Sequence, residues 1–250
     1  MYKFKTRARH VLLVLIYTVL LFSALSLIGR VFEHFLGYTD IPILGFLQLT
    51  FLEEFNLDNE SNITTYFAGI LLLLSSILLW LIAYIERERN SPFYRHWFGL
   101  SLVFAYISVD EVATLHERIA RPVRELLGAE GIFYFSWVIP AAVGLLLLGI
   151  VYARFLWHLQ ARWKALFSVA AALYVGGALG LELVGGWYVS EVGESFAYES
   201  SFTYELLVTV EETLEMAGAA FFIYSLLDYL SRRVDGVAFA FQSAPDQNSR

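Results

Sequence analysis

The chain has no cysteine. Disulfides, thiolate zinc sites, iron–sulfur clusters and cysteine nucleophiles are therefore excluded together. The redox compartment stays open. Lysine is nearly missing, with only Lys3, Lys5 and Lys164 present, all at the edges of apolar runs. A retinal Schiff base, which needs a lysine deep in a helix, is excluded. Charge is scarce at 16% of residues, against about 25% in a soluble domain. What charge there is sums to -7. A nucleic-acid partner, which needs a basic face, does not fit.

Apolar residues fill the gap, at 58% of the 250 positions. A soluble fold of that composition would expose large apolar patches. The chain therefore reads as an all-α integral membrane bundle. A spanning helix needs roughly 20 mostly apolar residues. Six such stretches are predicted, at about 10–31, 64–86, 96–119, 132–157, 164–189 and 204–230. Acids interrupt the third and the sixth. The first follows Lys3, Lys5, Arg7 and Arg9, but its apolar run is too long for a signal peptide and no A-x-A site follows it. It reads as a retained anchor.

Basic residues set the expected direction. With the N-terminus inside, 13 of the 17 bases fall on the inner side, as the positive-inside rule requires. Of the 24 acids, 19 fall in the outer half or beyond. Both termini are expected in the cytoplasm, and the protein in the cell inner (plasma) membrane as a multi-pass protein. Residues 1–233 form one transmembrane domain and 234–250 read as a disordered tail. The first outer loop, 32–63, contains IPILGFLQLTFLEEF. That segment is either a short interfacial helix or a loop dipping into the headgroups. Residues 190–203 read as a short acidic outer loop.

The unusual feature is a layer of acids inside the spans. The third stretch carries DEVATLHE, with Asp110, Glu111, His116 and Glu117. The fifth carries Glu182 in GGALGLELVGGW, and the sixth carries EETLEMAG, with Glu211, Glu212 and Glu215. Glu182 lies about 8 Å below Trp187 at 1.5 Å per residue. Glu211 to Glu215 lie roughly 9–15 Å below Tyr204, and Asp110 and Glu111 roughly 8–15 Å below the end of the third stretch. Three helices thus place carboxylates at one level. In the fifth helix Gly176 and Gly180 make a small-xxx-small pair and Gly177, Gly185 and Gly186 add further thin places, while Gly218 lets a neighbour approach the sixth.

A carboxylate at the bilayer centre costs about 2.5–3.5 kcal/mol, and less toward the interface. For Asp110, Glu111, Glu182, Glu211, Glu212 and Glu215 the sum is on the order of 10 kcal/mol. No lysine or arginine lies at that depth to offset it. Bound cations, shared protons or a water-filled cavity remain. Carboxylates with one imidazole suit a divalent metal such as iron, manganese or zinc, and a bundle can converge them from facing helices. The predicted metal ligands are Asp110, Glu111, His116, Glu182, Glu211, Glu212 and Glu215, with Glu111 or Glu212 as general base. The Glu-x-x-His of di-iron carboxylate proteins is absent, and Glu212-x-x-Glu215 stands at its spacing.

Plainer roles stand beside these. His116 reads either as a ligand or as a hydrogen-bonded interfacial residue. Glu117, Arg121 and Glu125 have the spacing of a solvated i,i+4 ladder. Arg118, Arg121 and Arg124 are expected to meet lipid phosphates. Tyr106 and Tyr174 are candidate donors to the acids. The acid layer itself reads alternatively as a proton-sharing network that holds helices together.

The DE…HE helix followed by an EExxE helix resembles uncharacterised bacterial polytopic membrane proteins. That resemblance carries no function across. Three functions remain from the residues themselves. The first is a metal-dependent enzyme acting on a lipid or other apolar substrate, with its site facing the outer side. The second is a cation or proton-coupled transporter using the same acids. The third is a subunit of a larger membrane complex.

Overall fold

A computed structural model of the chain describes residues 7–36 and 42–234. Among the described residues there are helices and no strands. The helices are α1 (Ala8–Leu36), α2 (Pro42–Phe55), α3 (Ile63–Glu88), α4 (Tyr94–Ala113) and α5 (Leu115–Leu127), followed by α6 (Val138–His158), α7 (Ala161–Val175), α8 (Glu182–Val192), α9 (Glu194–Ser200) and α10 (Phe202–Arg233). A 3-10 turn at Gly131–Phe133 precedes α6, and a π-helical segment, Gly176–Leu181, joins α7 to α8. The expected tail lies outside the described residues from 235 onward.

Four helical stretches are long and apolar enough to cross a membrane: Ala8–His34, Ile63–Glu88, Val138–His158 and Ala161–Val192. The pair α4 and α5 makes a fifth if counted together. Helix α10 has the length, at 32 residues. It carries Glu205, Glu211, Glu212, Glu215 and Asp228 before its terminal arginines, so apolar character alone does not mark it as a span.

The third predicted span is shorter than expected. It stops at Ala113, where Thr114 adopts a left-handed conformation with φ 51°, and α5 leaves at 81° to α4. The charges that follow accord with the turn. A straight continuation would carry Glu117, Arg118, Arg121, Arg124 and Glu125 along the bundle axis. The bend instead sets Leu115, Ile119 and Val123 on one side of an amphipathic helix, the pattern of a helix lying in an interface. Two other expectations change. Residues 190–203 are mostly helical rather than a loop, because α8 runs to Val192 and α9 starts after Gly193 at φ 89°. The segment after Ile41 is the helix α2, docked on α1 where Gly29 leaves room for Leu52.

Helix α10 forms the centre and packs on α1, α3 and α7. Met216, Ala219 and Ile223 meet Val19, Ala68, Leu71 and Leu72 in one buried cluster. Farther along, Leu226, Tyr229 and Leu230 meet Leu79, Ile82, Trp97, Phe155 and Trp163 in a second. Helices α3 and α4 form a close hairpin stitched by serines. Ser76 donates to the Ser101 carbonyl at 2.7 Å and Ser108 to the Gly69 carbonyl at 2.8 Å. Such bonds are the usual glue between helices in lipid.

Candidate functional site: a cavity with one acidic end

Helix α6 stands apart from its neighbours over most of its length. From Pro140 to Val151 only Ala141 and Leu148 are even partly covered. Its two ends are attached. At one end Phe155 packs on Phe93 and Trp97, and Tyr152 donates to the His96 carbonyl at 2.9 Å. At the other, Trp137 donates its indole N–H to Glu182 at 2.6 Å. Between these anchors lies a cavity of about 1150 Å³, walled by α4, α6, α7, the π segment and α10. That is larger than the common range of small-molecule sites, about 300–1,000 Å³.

One end of the cavity is acidic. All seven predicted site residues line it: Asp110, Glu111, His116, Glu182, Glu211, Glu212 and Glu215. Tyr106 and Tyr174 line it too. The turn at Thr114 brings His116 back onto Asp110, Nδ1 to Oδ2 at 2.9 Å. The other Asp110 oxygen is buried and has no hydrogen-bond partner among the described residues. Glu182 and Glu211 meet within hydrogen-bonding reach across the α8–α10 contact. Two carboxyl groups hold that distance only with a proton or a cation between them. The His116 ring lies against Trp137 with centroids 4.6 Å apart. Among the described residues, no three His, Asp or Glu side chains stand together closely enough to hold a metal ion.

The π segment explains how Glu182 reaches this place. It widens the helix just before Glu182 and changes which residues face α10. Gly177, not Gly176 or Gly180, makes the close approach. A Cβ there would stand 2.8 Å from the Glu211 carbonyl oxygen, whereas one at Gly176 or Gly180 would meet nothing within 4 Å. Gly218 answers from α10, where a Cβ would stand 2.6 Å from the Tyr174 backbone nitrogen. Of the glycines expected to admit a neighbouring helix, Gly177 and Gly218 do so, and the small-xxx-small pair Gly176 and Gly180 does not. Single-turn π insertions of this kind are frequent at functional sites.

Two acids of the site escaped the sequence reading. Asp58 and Glu60 also line the cavity, from the turn that leads into α3. Asn62 fixes that turn by accepting from the Thr65 backbone N–H at 3.0 Å while its amide donates to the Asn56 carbonyl at 2.6 Å. Burial and the nearby Glu117 carboxylate push Glu60 up to about 7. Burial also raises Asp58, against the pull of Arg30. Arg30 stands 3.6 Å from both Asp58 and Glu205 and 3.0 Å from Glu33. The clue in the sequence was the acid pair in LDNES directly ahead of a helix cap.

Two of the arginines of α5, Arg121 and Arg124, have protein partners. Arg121 pairs with Glu125 at 2.9 Å, and Arg124 lies 4.2 Å over the Tyr134 ring and 3.8 Å from Glu194. Glu117 lines the cavity and is left out of the expected ladder with Arg121.

Residues 10–229 match the family described as a domain of unknown function, DUF8692. The chain belongs to this family. No curated protein and no solved structure matches it. The DUF8692 match takes in every residue that lines the cavity, from Leu57 to Phe222. The cavity therefore lies wholly within the family domain.

Proposed function

We propose that the protein is a multi-pass membrane protein whose acidic cavity end holds a divalent metal and acts on a lipid or other apolar substrate. Helices α4 and α10 are the further spans in this reading, giving six. Both termini lie in the cytoplasm of an inner-membrane protein, and the acids face the outer side. The bias of bases to one side of the chain supports that direction. The observation that carries the site is the convergence of Asp110, Glu111, Glu182, Glu211, Glu212 and Glu215 on one end of a single apolar cavity.

Only His116, Arg121 and Arg124 bring basic groups to that cavity, against ten acids. Arg121 and Arg124 are already engaged by Glu125 and Glu194. A divalent cation offsets the remaining charge and supplies a Lewis acid beside the substrate. The unpartnered oxygen of Asp110 is a ready ligand atom, and His116 is held beside it. Glu111 or Glu212 then serves as the general base. Titration of the purified protein with Mn²⁺, followed by electron paramagnetic resonance of the free ion, tests this. The wild type takes up Mn²⁺ and the Glu182→Gln/Glu212→Gln variant does not. Equal signals from free Mn²⁺ in both overturn it.

The π segment beside Glu182 favours a second reading, a cation or proton-coupled transporter, since interrupted helices mark transport sites. Such a site must open to both sides. Trp97 and Phe155, each 2% exposed, close the far end of the cavity, which supports the one-sided site. Proton flux into liposomes that is abolished by Glu182→Gln would reverse that preference.

A further inference from the structure

The metal reading leaves most of the cavity unexplained, because its body is apolar. Leu100, Phe104, Leu148, Phe167 and Phe222 face it, and small residues widen it: Gly144 and Gly149 on α6, Ala171 on α7 and Ala178 in the π segment. A Cβ added at Gly144 or Gly149 would meet nothing within 4 Å. The lining runs along α6 from Pro140 to Leu156, about 24 Å at 1.5 Å per residue. That is most of a hydrocarbon core about 30 Å thick.

The wall is also open sideways. Gly144, Leu145 and Gly149 on one side and Ser168 and Ala171 on the other line the cavity and are themselves exposed. Helix α6 meets the length and hydropathy of a membrane span, so the medium at this slot is lipid. Water does not stably fill apolar space of this kind. The occupant available at that depth is an acyl chain.

We infer that the cavity body between α6 and α7 holds an acyl chain of a bilayer phospholipid, entered sideways through that slot, with its headgroup at the acidic end. This rests on the proposed function only in taking α6 as a span, and it names the substrate class of the same site. The chain lies along the glycine face of α6 and ends against Trp97 and Phe155. The ammonium of a zwitterionic headgroup then meets Asp110, Glu182 and Glu212, carboxylates that would repel a bare phosphate. Helix α6, fixed at Trp137 and at Tyr152 and free between, is the wall that admits it.

The test is mass spectrometry of lipid retained by the full chain after exhaustive washing in mild detergent, with Mn²⁺ binding measured on the same samples. The wild type retains phospholipid in stoichiometric amount. Gly144→Phe/Gly149→Phe fills the slot and lowers retention about tenfold, the factor that 1.4 kcal/mol of lost affinity produces. Leu146→Phe, which points away from the cavity lining, retains lipid as the wild type does. Should the double variant not fold, Ala171→Phe fills the slot from the facing wall. A wild type holding detergent only, or a filled variant that keeps its lipid, overturns the inference. Lipid retained without Mn²⁺ uptake overturns the metal reading alone; Mn²⁺ uptake without lipid overturns this one alone.

Discussion

Trp137 donates its indole N–H to Glu182 at 2.6 Å, joining the start of α6 to the residue that follows the π segment. This bond holds the acidic end of the cavity shut on one side and orients a carboxylate that α8 alone would leave free. Trp137→Phe keeps the ring and removes the donor. An intramolecular hydrogen bond contributes about 0.5–1.5 kcal/mol net. Chemical denaturation in detergent is expected to show a loss toward the lower end of that range, since the bond is partly accessible. Unchanged stability would show that Glu182 finds an equal partner elsewhere.

The two glycine contacts between α7 and α10 differ in kind from the open glycines of α6. Gly218→Ala forces a Cβ against the Tyr174 backbone, and overpacking of this sort costs about 1–3 kcal/mol. Gly144→Ala meets nothing within 4 Å and gains about 0.5–1 kcal/mol of helix propensity. Thermal melts of the two variants should therefore move in opposite directions. Equal shifts would contradict the packing described.

Glu60 supplies a pH dependence outside the spans. Its carboxyl is raised to about 7 from an ordinary 4.5. A group raised on folding contributes stability below its unfolded value and loses that contribution as pH rises through the folded one. Stability is expected to fall between pH 5 and 8, and Glu60→Gln should flatten that slope. The slope is read from thermal melts across that range. A slope identical in the Gln variant would assign the dependence to another group.

The absence of cysteine makes the proposed direction easy to check. Single cysteines at Ala129 and Ser91 lie on turns at opposite ends of the bundle, after α5 and after α3. In intact cells an impermeant maleimide should label Ala129→Cys and spare Ser91→Cys. The reverse pattern would invert the topology.

Much of this arrangement was legible in the sequence. The apolar runs mark four to five candidate spans, and Asp110, Glu182 and Glu212, grouped by their positions in the sequence, line one cavity. Three features were not legible. A left-handed Thr114 leaves no local signal, because a run such as VATLHE continues as readily as it turns. The π segment leaves Gly176 and Gly180 without a close neighbour, and a regular 3.6-residue count cannot register it. Asp58 and Glu60 reach the cavity from a turn, and their contact with α5 depends on the fold of the whole chain.

A metal at the carboxylate end of the cavity is open to elemental analysis by plasma mass spectrometry of the protein as purified from membranes, beside Glu182→Ala/Glu212→Ala. Near-stoichiometric iron, manganese or zinc is expected in the wild type, with its loss from the double variant. Metal absent from the wild type, or retained equally by the variant, would contradict it.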